Sequence, residues 1–313
     1  MAETFDAIIV GGGPAGLAAA VYTGRGELTT LILERGQLGG QVAMTHKIDN
    51  YPGFPDGIDG PRLTELMREH GERFGATIRT EDVLEMKTEG LWKTVRTREN
   101  AYRAATVILA MGADPRKLGV PGEDELRGRG VSYCGTCDAP FFRDKKVVVV
   151  GGGDTALKEA LYLTRFAGEV VIVHRRREFR AEKIYVTDAE KNPKVSFELD
   201  AVLDRINGED KVASAAVRNV KSGETKEIAC DGVFIFVGTQ PNTKFLEGMC
   251  AVDAAGHLET DLDMMTCEPG VFAVGDVRKN SYRQVATAVG EGVTAAMAAE
   301  HWISKMRAEG KLD

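Results

Sequence analysis

Short, unbroken apolar runs punctuate this chain, and most of them end in glycine. Ala7-Ile8-Ile9-Val10 leads into Gly11-Gly12-Gly13-Pro14-Ala15-Gly16, and Val147-Val148-Val149-Val150 leads into Gly151-Gly152-Gly153-Asp154-Thr155-Ala156. Apolar β-formers without polar alternation predict a strand buried on both faces, as in a parallel sheet. A helical stretch comes after each turn, Ala-rich from Leu17 to Tyr22 in the first copy and running to about Arg165 in the second. Strand, glycine turn and helix are thus written twice, 140 residues apart. A second echo lies downstream: the run Ala105–Met111 ends in Gly112-Ala113-Asp114-Pro115, and the run Gly232–Val237 ends in Gly238-Thr239-Gln240-Pro241, at an offset of 126. Two units of one plan are predicted, the second shorter.

Another run, Val271-Phe272-Ala273-Val274, ends in Gly275-Asp276 and precedes a helix over roughly Gln284 to Met306. The second unit is already complete at Pro241, so this closing segment is read as returning to the first. Residues 60–76 read as a helix, and 77–104, with Thr, Val and alternating charges, as an antiparallel excursion. The expected fold is α/β: two related Rossmann-like domains with three layers (ββα), the second inserted into the first. The boundaries are 1–114, 115–243 and 244–313, with Gly- and Pro-punctuated linkers at 112–122 and 238–248.

Length and composition agree with that reading. A chain of 313 residues suits two domains. Its 43% hydrophobic and 28% charged residues exclude disordered, collagen-like and disulfide-scaffold classes. The net charge of −7, with no basic block, argues against nucleic acid or an anionic membrane as partner. No apolar run approaches the roughly 18 residues of a membrane span. The acidic start, Met1 to Asp6, enters a strand directly, and no signal peptide is expected. Only Cys134 and Cys137 of the five cysteines are close in sequence, which points to a reducing cytoplasm where such a pair is a redox or metal site.

The two glycine turns have the chemistry of dinucleotide sites, since glycine lets the backbone approach a pyrophosphate whose charge rests at the helix N-terminus. The residues downstream of the two turns differ. Glu34 lies 23 residues after Gly11, where a carboxylate would bind a ribose 2′-hydroxyl. The same spacing from Gly151 reaches His174, then Arg175 and Arg176, with Arg180 a little further on. A carboxylate repels a 2′-phosphate, whereas guanidinium groups bind one. The first turn is therefore assigned to an adenosine with a free ribose, as in FAD, and the second to NADP(H). A merely solvated run at Arg175-Arg176-Arg177 is the competing reading.

Cys134-Gly135-Thr136-Cys137 admits three readings: a structural zinc site, inert thiols, or a dithiol–disulfide centre. Zinc needs four ligands, and neither Cys230, Cys250 and Cys267 nor any histidine pair supplies the rest at suitable spacing. A redox pair fits best. The adjacent Asp138 is either an acid–base group for the sulfurs or a cap for the next turn. Two nucleotide sites and one dithiol on one chain define an electron path from NADPH through a flavin to the disulfide.

Taken together, Gly11–Gly16, Gly39-Gly40-Gln41, Asn50-Tyr51-Pro52-Gly53-Phe54, Cys134–Asp138, Gly151–Ala156, His174-Arg175-Arg176 through Phe179-Arg180-Ala181, Gly275-Asp276 and Tyr282-Arg283-Gln284 resemble the bacterial low-molecular-weight NADPH-dependent thioredoxin reductases over essentially the whole chain. The resemblance implies a homodimer, with FAD held between the N- and C-terminal segments and NADPH on the inserted domain. Thioredoxin would be the oxidant, or else another small dithiol protein. It places Gly11, Gly13, Pro14, Ala15, Gly16, Glu34, Arg35, Gly39, Gly40, Gln41, Asn50, Val83, Ala110, Gly112, Gly275, Asp276, Arg283, Gln284, Val285 and Ala286 around the flavin nucleotide. Gly153, Asp154, Thr155, His174, Arg175, Arg176, Arg180 and Gly238 would face NADPH. Cys134 and Cys137 would be the catalytic pair, Cys137 nearer the flavin, with Asp138 as proton donor. Two domain orientations are expected to alternate during turnover. The chain departs from the family at Gly135, where Ala is common, at Ala139-Pro140 after Asp138, and at Met111 within Ala110–Ala113.

Overall fold

The computed structural model describes residues 2–45, 47–246 and 248–312. Contacts divide the chain into two units, Met1–Asp114 with Gln240–Asp313, and Pro115–Thr239. The chain leaves the first unit after Asp114. It returns at 239/240, four residues before the expected 243, because the side-chain amide of Asn242 donates to the Met111 carbonyl at 3.1 Å and its N–H to the Gly112 carbonyl at 3.2 Å. Those bonds commit Asn242 to the first unit.

In chain order the first unit opens with β1 (Glu3–Val10), α1 (Pro14–Arg25), β2 (Thr30–Glu34), α2 (Gly60–Arg73), β3 (Thr77–Thr80), β4 (Val83–Glu89), β5 (Trp92–Thr97) and β6 (Ala101–Leu109). After the crossing strand β7 (Ala113–Pro115), the second unit holds β8 (Val131–Ser132), α3 (Gly135–Asp138), β9 (Lys146–Val150), α4 (Asp154–Leu163), β10 (Glu169–His174), α5 (Lys183–Lys191), β11 (Val195–Leu199), β12 (Ala201–Asn207), β13 (Ser214–Asn219), β14 (Thr225–Ala229) and β15 (Gly232–Ile235). The second crossing strand, β16 (Thr239–Pro241), precedes β17 (Val271–Ala273) and α6 (Val285–Ala308).

The first unit is one sheet in the order β3-β2-β1-β6-β5-β4, with β17 also on β6. Strand β6 changes partner along its length. Residues 101–104 pair with β5 antiparallel, and Val107–Leu109 pair with β17 parallel. The antiparallel excursion is β4-β5-β6. Residues 77–80, expected in it, instead extend the parallel sheet, with Leu31 opposite Thr77 and Glu34 opposite Thr80.

Alternation along the central strands explains the three layers. Ile8, Val10, Leu31 and Leu33 point to one side and pack with Met86, Val95 and Tyr102 of the meander. Ile9, Ile32, Ile108 and Phe272 point to the other and meet Leu17, Ala19 and Ala20 of α1 and Ala295 and Ala299 of α6. Both faces are covered, so the stretches Ala7–Val10, Leu31–Leu33 and Val107–Leu109 are apolar at every position.

The second unit repeats this plan with sheet order β11-β10-β9-β15-β8. Val148, Val150, Val171 and Val173 face the separate meander β12-β13-β14, while Val147, Val149, Val170, Ile172 and Phe234 face Ala156, Leu157 and Ala160 of α4.

Candidate active site

The first glycine turn is tight because backbone crowds it. Gly11 sits at φ +106, and a Cβ there would lie 2.4 Å from the Ala110 carbonyl oxygen. A Cβ on Gly16 would lie 2.1 Å from the Gly11 oxygen, whereas one on Gly13 would meet nothing within 4 Å. The turn is closed toward the sheet and open outward, as close approach of a ligand requires. Helix α1 starts at Pro14 with no side-chain cap, so the N–H groups of Ala15 and Gly16 point out of its positive end. Glu34, at the end of β2, accepts from the N–H groups of Gly12 at 2.7 Å and Gly36 at 2.9 Å. The carboxylate is fixed beside the turn and still has lone pairs for ribose hydroxyls.

Other expected residues of this unit gather near by. Gly39 donates to the Gly12 carbonyl at 2.7 Å, which docks the Gly39-Gly40-Gln41 stretch, and Gln41 donates to the Ala113 carbonyl at 2.6 Å. Arg35 pairs with Asp114 at 3.3 Å. The Asn50 amide donates to the Gln284 side chain at 3.2 Å, joining residues 234 positions apart. The Ala110 N–H donates to Val10 at 2.7 Å, and Gly112, at φ +66, has open space around its Cα. Val83 packs in the core beside Met86 and Leu246. Asp276 lies just after β17 and accepts from the Ser281 hydroxyl at 3.3 Å; burial pushes its carboxyl up, against the pull of Arg283. Arg283 adopts φ +54 directly before the start of α6 at Val285 and Ala286.

In the second unit Gly151 repeats the part of Gly11, with a Cβ 2.5 Å from the Phe236 oxygen, and Gly153 repeats Gly13 with open space. Helix α4 again lacks a side-chain cap and begins at Asp154 and Thr155. Asp154 does not cap it; its carboxylate accepts from the Glu182 N–H at 2.8 Å. His174 is buried. Its ring stacks on Phe179 at 5.2 Å and lies beneath Gly152, where a Cβ would come within 2.2 Å of Cε1. Burial first, then Arg175, Arg176 and Arg180, push its pKa down, so it stays neutral and supports the turn from below. The three guanidiniums are exposed, and none makes an ion pair among the described residues. The Arg180 N–H donates to the Gly152 carbonyl at 2.9 Å, which ties that stretch to the turn. Gly238 lies at φ +110 and accepts from the Arg116 N–H at 3.0 Å.

Cys134 and Cys137 form a disulfide with Cα atoms 5.3 Å apart, spanning the single turn α3. The Cys137 N–H donates to the Cys134 sulfur at 3.2 Å. Ser132 braces the turn, its hydroxyl accepting from the Cys134 N–H at 3.0 Å. Asp138 is half-buried, and burial pushes its carboxyl up against a hydrogen bond from Ser132, so it holds a proton to higher pH than an ordinary aspartic acid.

Three glutamates complete these sites without any local motif to announce them. Glu159 on α4 accepts from the Thr136 N–H at 3.1 Å, and a Cβ on residue 135 would lie 2.1 Å from that carboxylate. A side chain at 135 would therefore press on the end of the Glu159 side chain, which would have to turn aside. Glu123 is almost fully buried. It takes the N–H groups of Leu118 and Gly119 at 3.0 and 2.7 Å and the Tyr133 hydroxyl at 2.7 Å, holding the residue next to Cys134. Glu291 on α6 accepts from the Gly275 N–H at 2.6 Å and pairs with Arg278 at 2.7 Å, which sets the Gly275-Asp276 corner.

The family model described as pyridine nucleotide-disulphide oxidoreductase matches residues 5–292. The thioredoxin reductase of Bacillus subtilis (strain 168) is 45% identical over 306 residues, covering 97% of this chain and 96% of the relative. A crystal structure of thioredoxin reductase from Streptococcus pyogenes MGAS5005 superposes with a TM-score of 0.93 at 45% identity, covering 97% of this chain and all of that one. Thioredoxin reductase from Giardia duodenalis gives 0.91 at 35% identity, covering 96% of this chain and 99% of its own. With both glycine turns and the dithiol turn inside the matched span, the chain belongs to the pyridine nucleotide-disulphide oxidoreductase family, on its thioredoxin reductase branch.

Proposed function

We propose that the protein carries FAD on the first unit, takes NADPH on the second, and reduces the disulfide of thioredoxin. The observation that carries this reading is a closed Cys134–Cys137 disulfide on the same chain as two uncapped glycine-turn helices with differently charged surroundings. Beside one stands the carboxylate of Glu34; beside the other stand guanidiniums that form no ion pair among the described residues. A bound flavin would supply two-electron transfer between a nicotinamide and a disulfide.

The residues of this chain supply the rest. The Ala15 and Gly16 N–H groups and Glu34 are suited to the pyrophosphate and ribose of FAD, and Thr155 with Arg175, Arg176 and Arg180 to the pyrophosphate and 2′-phosphate of NADPH. In the reduced pair, the Cys137 N–H stabilises a thiolate on Cys134, which favours Cys134 as the nucleophile of exchange. That thiolate attacks the thioredoxin disulfide, forming a mixed disulfide and expelling one thioredoxin thiolate. The Cys137 sulfur then attacks Cys134, releasing the second thioredoxin thiolate and closing the Cys134–Cys137 bond. Asp138, which keeps its proton into a higher pH range, supplies a proton to a departing thiolate.

A homodimer in a reducing cytoplasm belongs to the same proposal. Tyr22 on α1 and Met297 on α6 leave apolar surface exposed on the helical layer, as a second copy would require. Among the described residues no helix is long and apolar enough to cross a membrane.

The test uses Cys134→Ser and Cys137→Ser in the flavin-loaded protein. NADPH should bleach the flavin absorbance in the wild type and in both variants, while NADPH-dependent thioredoxin reduction disappears in both. A variant that still reduces thioredoxin, or a flavin that NADPH leaves oxidised, would overturn the proposal.

A further inference from the structure

Outside the Cys134–Cys137 disulfide the chain has three thiols, Cys230, Cys250 and Cys267. Cys230 is packed in the core of the second unit, and burial pushes its thiol up to about 12. Cys250 and Cys267 are placed differently. Both lie in the closing segment of the first unit, on two stretches that run together. The Ala251 N–H donates to the Cys267 sulfur at 3.3 Å, and the Cys267 thiol donates to the Met249 carbonyl at 3.8 Å. The Cys267 sulfur is therefore held across the backbone of residue 250. From the other side, the Cys250 thiol donates to the hydroxyl of Thr266, the neighbour of Cys267, at 3.7 Å. Each thiol thus reaches a residue adjacent to the other in sequence, which brings the two cysteines together.

Their surroundings give them unequal roles. Cys250 is half-buried and packs against the core with Phe245 and Met249, whereas Cys267 is exposed. Burial pushes the Cys250 thiol up to about 11, so it stays protonated at neutral pH. Among the described residues no third His, Cys, Asp or Glu joins them in a metal-holding group, which leaves a structural zinc short of ligands.

We propose that Cys250 and Cys267 are a second dithiol, which a hydroperoxide closes to a reversible disulfide. The exposed Cys267 thiolate attacks the peroxide; a sulfur–oxygen bond forms, the oxygen–oxygen bond breaks, and the expelled oxygen leaves as water or alcohol after taking a proton. The Cys250 sulfur then attacks the Cys267 sulfenic acid. A sulfur–sulfur bond forms, the sulfur–oxygen bond breaks, and hydroxide leaves as water with the Cys250 proton. Two thiols have lost two electrons and the peroxide has gained them. The new bond staples residues 249–251 to the stretch that leads into β17 and on to Gly275 and Asp276.

Thiol counting on the whole enzyme tests this. Protein with Cys134–Cys137 already closed is treated with hydrogen peroxide, denatured and alkylated. Alkylatable thiols should fall from three to one, the survivor being Cys230. Mass spectrometry should find the Cys250 and Cys267 peptides joined within one chain, and dithiothreitol should restore both thiols. In Cys250→Ser, dimedone should trap a sulfenic acid at Cys267; in Cys267→Ser, Cys250 should remain a thiol. The proposal is overturned if Cys267 advances to sulfinic acid or links two chains while Cys250 stays alkylatable. It also falls if both thiols persist in millimolar peroxide.

Discussion

Replacing Arg175 and Arg176 together by alanine separates the proposed 2′-phosphate site from a solvated run of charge. Both guanidiniums are exposed and form no ion pair among the described residues, so the variant should keep its stability. A charge-assisted hydrogen bond contributes about 1.5–3 kcal/mol. Solvent screening at an exposed site reduces this to about 0.5–1 kcal/mol per residue. Losing two such bonds costs about 1–2 kcal/mol, or roughly 5- to 30-fold in the NADPH dissociation constant. NADH has no 2′-phosphate, so its affinity should change by less than about twofold, because the turn itself, with Gly151, Gly153 and the N-terminus of α4, is untouched. Arg177→Ala, one position along the same run, should have a small effect on either nucleotide if specific contacts rather than net charge decide. Equilibrium titration of each nucleotide at two ionic strengths measures all of this, and the wild-type preference for NADPH should shrink as salt rises. Equal losses for NADPH and NADH would refute the reasoning.

Asp138→Asn should slow thioredoxin turnover and remove the alkaline limb of its pH profile. The raised carboxyl donates a proton below its folded pKa and loses that capacity as pH rises through it. A rate profile unchanged by the substitution, or a large rise in the NADPH dissociation constant, would assign Asp138 to structure instead. Lys93 is fully buried, its ammonium donating to the carbonyls of Leu91 and Ala105 with the Trp302 ring 4.5 Å away, and burial pushes it down to about 8. A lysine whose folded pKa lies below its unfolded value opposes folding while both forms are charged, and this penalty lifts as pH rises from about 8 toward 10.5. Wild-type stability relative to Lys93→Met should therefore climb by up to about 3 kcal/mol across that window, read from urea midpoints; a flat difference would show that the ammonium is not strained by burial.

What the sequence made legible and what it hid divide on a physical line. The runs Ala7–Val10 of β1, Val147–Val150 of β9 and Val233–Ile235 of β15 could be read because covering both sheet faces demands an apolar side chain at every position there. Strand β3, Thr-Ile-Arg-Thr, lies at the sheet edge with half-exposed residues, so its composition resembles the meander after it. The glycine turns were legible because backbone crowding at Gly11 and Gly151 admits no side chain. His174 shows where spacing stops being informative. The interval from the turn places it level with Glu34, but the sheet buries its ring under Gly152, while the carboxylate of Glu34 stays at the rim. Spacing fixes where a backbone position falls on the strand, and burial decides whether its side chain can meet a ligand. Glu123, Glu159 and Glu291 could not be read at all. Each acts on backbone N–H groups that only the tertiary fold brings within reach, such as Glu159 on a turn 23 residues earlier and Glu291 on a corner 16 residues earlier. An acid on an amphipathic helix reads as a solvated face until its partner is known. Gly135 was the one indirect trace: a Cβ there would lie 2.1 Å from the carboxylate of Glu159. If so, Gly135→Ala must displace Glu159 from the Thr136 N–H and loosen the dithiol turn, and a shorter side chain at position 159 should relieve it.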